Sequence, residues 1–129
     1  MTVSSGTHTL ATAIALQSRA TIDVGGGSLL WASGALSGTN GIRKTGAGEL
    51  SISSINSFTG PTNVDVGLLR VNGSIASSSL TTVAAGATLA GSGTVGSTLL
   101  LGTHEPGNSP GLQTFTAGLT YGGTSVLEW

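Results

Sequence analysis

A glycine followed by two apolar residues one position apart recurs about every twenty residues along this chain. Gly27 precedes Leu29 and Trp31, Gly48 precedes Leu50 and Ile52, and Gly67 precedes Leu69 and Val71; Gly86 precedes Leu89, one residue later than in the others. These glycines are spaced by 21, 19 and 19 residues. A second apolar series runs between them: Ile22 and Val24, Ile42, Val64 and Val66, Val83. A fixed period constrains the fold more than any single motif, because each repeat is one unit that buries its inner face only against its neighbours.

Within each repeat the apolar residues alternate with polar ones, the period of a strand with one face inward. Helix is disfavoured, since each interior glycine costs about 1 kcal/mol relative to alanine. Short strands with regular turns fit either an antiparallel sandwich or a solenoid, and similar residues at equivalent positions favour the solenoid. The expectation is an all-β, parallel β-solenoid, a single segment over 1–129, with about six coils of roughly twenty residues. Leu29, Leu50 and Leu69 are expected to stack, with Trp31 inward and in phase with Ile52 and Val71. Glycine is placed at the corners, where tight bends need positive φ.

Composition narrows the function. The 22 glycines suggest a flexible chain, but 38% of residues are hydrophobic and the net charge is only −1, which argues for a buried core. The near absence of charge argues against a nucleic-acid partner or an anionic membrane surface. No cysteine is present, so there is no disulfide framework or thiolate metal site. No run approaches the ~18 apolar residues that span a bilayer. "LATAIAL" (Leu10 to Leu16) lacks a basic n-region and reads as strand rather than as a secretory leader.

"NSFTGPTNVDVGLLRV", from Asn56 to Val71, resembles the autotransporter passenger-associated β-strand repeat. Asn56, Phe58, Gly60, Thr62, Val64, Gly67, Leu69 and Val71 match that pattern without a gap, and the best-matching stretch is 42–73. "KTGAGELSIS" (Lys44 to Ser53) is similar to its lead-in. "PGNSPG" (Pro106 to Gly111) is similar to a turn near the C-terminal part of such passengers, giving an expected turn region over 104–112. Pro61 and Asn63 depart mildly from the pattern, and Phe58 replaces the commoner tyrosine. The resemblance implies a right-handed parallel β-helix displayed outside the cell, normally anchored through a C-terminal outer-membrane barrel that this chain does not contain. The chain is therefore expected to be a fragment or a stand-alone relative of a passenger.

Chemistry is hard to find in the sequence. Gly25-Gly26-Gly27 and Gly46-Ala47-Gly48 have no helix after them to offer its N-terminus to a phosphate. Asp23 and Asp65 do not sit in tandem calcium-binding units. Thr7-x-Thr9 and Thr114-x-Thr116 do not recur in every coil, so no flat threonine array for ice is expected. A β-helix glycosidase needs two carboxylates about 5–9.5 Å apart, and Asp23, Glu49, Asp65, Glu105 and Glu128 are scattered. Glu49 is read as outward and solvated, one coil from Arg70 but with no definite partner. His104 and Glu105 are read as an exposed loop pair, since a metal or a triad needs further convergent groups. Trp31 and Phe58 are weighed as a sugar-stacking pair and assigned to packing.

No catalytic, cofactor-binding or metal-binding residue is therefore expected, and no cofactor. The expected function is a non-catalytic structural stalk of a secreted or surface-displayed passenger. The alternative is an adhesin module contacting glycans or a host or neighbouring cell; less favoured is a polysaccharide-degrading enzyme. Membrane insertion by this segment is not expected, whereas self-association through exposed solenoid ends is.

Overall fold

The computed structural model describes residues 1–107 and 112–128, and the described residues contain strands, turns and no helix. The strands wind as a parallel β-solenoid of about six turns with three sides. The first sheet stacks β1 (Thr2–Val3), β4 (Ala20–Val24), β7 (Ile42–Thr45), β9 (Thr62–Val64), β12 (Thr81–Val83), β15 (Thr98–Leu100) and β18 (Leu119–Tyr121). The second stacks β2 (Thr7–Leu10), β5 (Leu29–Ala32), β8 (Glu49–Ile52), β10 (Leu68–Val71), β13 (Thr88–Gly91), β16 (Thr103–Pro106) and β19 (Val126–Leu127). The third side is split: β3 (Ile14–Ala15) pairs β6 (Leu36–Ser37), and β11 (Ser74–Ile75), β14 (Thr94–Val95) and β17 (Thr114–Phe115) form a separate ladder.

The second sheet's register measures the coils. Paired residues are 22 apart at Thr7 and Leu29, 20 at Leu29 and Glu49, and 19 at Glu49 and Leu68. They are 20 apart at Leu68 and Thr88, 15 at Thr88 and Thr103, and 23 at Thr103 and Val126. The period is thus near twenty until one short coil and one long one.

One inward row runs Leu30, Leu50, Leu69, Leu89, each at most 3% exposed, and continues to His104. A second runs Ala32, Ile52, Val71. This corrects the expected register in the second coil. Leu30, not Leu29, lies in line with Leu50, so Trp31 falls on the outward face beside Ser51. Gly27 is three residues before its inward leucine, as Gly86 is before Leu89, and the alternation reads one position out there. Val66 also leaves the interior: it follows β9, at the corner, and is exposed.

The first sheet contributes Ile22, Lys44, Val64, Val83 and Leu100 to one inward row and Ile42, Thr62, Thr81 and Thr98 to another. The recurring threonines thus line the inside. Thr62 Oγ1 lies 2.9 Å from Ser78 Oγ, Thr98 Oγ1 donates to Gly96 O, and Thr81 Oγ1 has no partner among the described residues.

Corners are made by glycine for two separate reasons. Gly67 has φ +78°, and a Cβ there would lie 2.4 Å from Gly46 O and 2.5 Å from Gly48 O of the coil beneath. Both conformation and space therefore require glycine. Gly60 has no positive φ, but a Cβ on it would lie 2.3 Å from Gly41 N. Of the turn expected over 104–112, 104–106 belong to β16, and 108–111 lie outside the described residues.

Candidate functional site

In the third coil the segment between β8 and β9 contains no strand, and this gap splits the third side. Backbone bonds still cross the gap, from Ser57 N to Leu36 O and from Asn56 N to Ser74 O, and the Asn56 side chain adds to them. Its Oδ1 accepts from Leu36 N at 2.7 Å and from Ser54 Oγ at 3.0 Å; its Nδ2 donates to Ser54 O and Ser74 O at 3.1 and 3.0 Å. One buried amide thus satisfies backbone groups in the coils on either side, which an apolar residue cannot do. Phe58, fully buried, fills the interior behind it. Gly60 lies against the backbone of Asn40 and Gly41, closing the bend.

Lys44 is fully buried in an otherwise aliphatic row. It sits at the end of β7, so its Nζ reaches the corner, where it donates to Thr45 O at 2.7 Å, Gly46 O at 2.6 Å and Val66 O at 3.2 Å. Three ammonium protons meet three carbonyl oxygens from two coils. Burial holds the ammonium below the usual lysine range, partly countered by the charge of Asp23. No helical or strand pattern singles out Lys44 in the sequence, because a charged residue in an inward position is what periodicity excludes.

His104 corrects the reading of an exposed loop pair. It lies on β16, 3% exposed, in line with Leu89. Gln113 Nε2 donates to Ala90 O, which leaves Gln113 Oε1 to accept from His104 Nε2 at 2.8 Å. His104 Nδ1 then accepts from the Tyr121 hydroxyl. Phe115 packs edge-on at 5.5 Å between ring centres. Burial lowers the imidazole's affinity for a proton, with the Gln113 hydrogen bond opposing, and burial raises the Tyr121 phenol. The arrangement suits a neutral imidazole.

The carboxylates are mostly engaged. Glu49 Oε1 accepts from Arg70 Nε at 2.7 Å, supplying the partner the sequence did not identify. Asp65 pairs with Arg43, and Asp23 accepts from Thr45 Oγ1. Glu128 follows β19, and its N–H donates to His104 O at 2.8 Å. No group of three or more His, Cys, Asp or Glu that could hold a metal occurs among the described residues.

The outward face of the second sheet is different in kind. Trp31 is 48% exposed, and its Nε1 donates to Ser53 Oγ at 3.1 Å. Beside it run Ser51 and Arg70, and two residues back along the same strands lie Leu29, Glu49 and Leu68. Gly27, Ser28, Leu29, Ala47, Gly48, Glu49 and Leu68 border a groove of ≈ 370 Å³. Trp31 and Phe58 therefore do not form a pair: one is on the surface and the other is in the core.

No protein-family profile matches the chain, and no solved structure matches it. An extracellular serine protease of Serratia marcescens is 40% identical over 78 residues, 59% of this chain. The match covers 7% of that protease, so the chain corresponds to a small part of its relative's length.

Proposed function

We propose that this chain is a non-catalytic stalk segment of a secreted, surface-displayed passenger of the autotransporter type. The observation that carries the reading is the unbroken parallel stacking of two seven-stranded sheets around a shared, mostly aliphatic interior. A rod of this kind transmits length and stiffness without needing a site. Similarity to an extracellular protease supports export, and the gapless Asn56 to Val71 repeat supports the passenger type. Anchoring through an outer-membrane barrel belongs to the same proposal.

A concatemer of two copies tests the rod. At about 4.8 Å per coil, each copy adds roughly 3 nm to the maximum dimension in small-angle scattering, at constant cross-section. Two copies that tumble independently overturn the stalk reading. Display is tested by fusing the chain between a secretory signal and an outer-membrane barrel. Cleavage of the chain by protease added to intact cells is expected; retention inside the cell overturns the passenger reading.

Self-association follows from the same geometry. Among the described residues, each main sheet ends on a strand paired on one side only, β1 and β2 at one end and β18 and β19 at the other. Such edges template pairing. A mass by light scattering that rises with concentration is expected, and a strictly monomeric mass counts against it.

A further inference from the structure

The geometry points to the outward face of the second sheet, centred on Trp31, as a binding strip for a neutral oligosaccharide. This goes beyond the stalk reading, since a rod needs no such face. A stalk gives no reason for the large Trp31 indole at 48% exposure on a strand one in from the end of a sheet. It does not guard an edge, as β5 is paired on both sides.

The indole is held rather than loose. Its Nε1 donates to Ser53 Oγ on the next coil, and Ser51, which also points outward, is only 7% exposed. Both facts fit a ring laid across the sheet over Ser51, with its other face to solvent. An aromatic face is electron-rich and attracts the weakly positive C–H bonds of a pyranose. With Nε1 already engaged, what the indole offers a ligand is this face.

Polar groups stand at sugar-length spacing. Leu29 is two residues from Trp31 on the same strand, about 7 Å along it at ~3.3 Å per residue. There the groove of ≈ 370 Å³ begins, bordered by Gly27, Ser28, Gly48 and Glu49. Glu49 and Arg70 use Oε1 and Nε on each other. Oε2 and the terminal guanidinium nitrogens remain to accept from and donate to hydroxyls. Because the two charges offset one another, the strip complements an uncharged, hydroxyl-rich chain rather than an anion. The floor, formed by β5, β8 and β10, is paired on both sides of each strand, so an extended peptide laid on it has no edge to join; the open edge is at β2, one strand away.

Tryptophan fluorescence titration of the Trp129→Phe protein, with neutral gluco-, manno- and N-acetylglucosamine hexasaccharides, tests this. At least one is expected to bind at concentrations below about 10 mM. Trp31→Ala, assayed by calorimetry, is expected to weaken binding at least about tenfold. Trp31→Phe retains part of the affinity, and Arg70→Gln weakens it several-fold. Thermal melting of each variant confirms that the solenoid is intact, as expected for outward substitutions. Failure of all three sugars to bind, or unchanged binding by a folded Trp31→Ala protein, overturns the proposal. So does loss of self-association in Trp31→Ala without any sugar binding, which would make the face a contact between copies. None of these outcomes bears on the scattering test of the rod.

Discussion

Two inward rows, one from each main sheet, line the same interior, and each carries one polar residue. Leu30, Leu50, Leu69 and Leu89 are followed by His104; Ile22 is followed by Lys44 and then Val64, Val83 and Leu100. The interruptions are handled differently because they fall at different points of a coil. Lys44 is one residue from a corner, where carbonyls of Thr45, Gly46 and Val66 converge and can hold an ammonium. His104 stands within a strand, and its partners are side chains from elsewhere in the chain, Tyr121 and Gln113. In this interior the ammonium is therefore held at a corner by backbone carbonyls, and the imidazole within a strand by side chains.

The largest effect is expected where a charge is placed in a row without such carbonyls or side chains. Leu50→Asp places a carboxylate in the middle of the leucine row, at a cost of several kcal/mol or more. The variant should lose its cooperative thermal transition; an unchanged melt would refute the inward placement of Leu50. Lys44→Met keeps the apolar stem but leaves three corner carbonyls without their donor, and should cost about 2–4 kcal/mol. A variant as stable as the parent would mean that water serves those carbonyls equally well. Asn56→Ala removes hydrogen bonds to two neighbouring coils and should cost about 2–3 kcal/mol, measured by urea denaturation. A loss below ~0.5 kcal/mol would mean that the backbone bonds of this segment hold the coils together without the Asn56 amide.

The His104 arm of the comparison is sharpened by pH. Burial keeps the folded imidazole below the ordinary value of 6.5, so the unfolded chain binds the proton more readily. The stability contributed by neutral His104 is therefore complete above about 6.5 and is lost as pH falls toward the folded value. His104→Leu should flatten this acid limb of the melting profile. Identical acid limbs in the two proteins would assign the effect elsewhere. The smallest change is expected at the surface: Glu49→Gln breaks the partly exposed pair with Arg70 and should shift stability by less than about 1 kcal/mol. A larger loss would show that the pair organises the sheet.

Much of the fold was legible because a repeat repeats its error-correcting information. Leu50, Leu69 and Leu89 lie two or three residues beyond a glycine, and any one of them predicts the others. Where the glycine-to-leucine offset changed, at Gly27, the reading slipped by one and turned Trp31 inward. In a strand a slip of one residue exchanges the two faces, and only the pairing of Leu30 with Leu50 restores the correct one. The ion pair of Glu49 with Arg70 lay within reach of the same argument, since both residues follow corner glycines in successive coils. Nothing comparable marks His104, whose partners Gln113 and Tyr121 lie nine and seventeen residues away and outside the regular period.

The class of fold and a coil near twenty residues were therefore legible in the sequence. These follow from glycine geometry and two-residue alternation, which act locally and recur. The tertiary structure decided which polar residues enter the core and which aromatic residue leaves it. Whether Lys44 finds three carbonyls, or Trp31 an open face, depends on the atoms of the neighbouring coil, and those are set by register, which the single chain reveals only once it is wound.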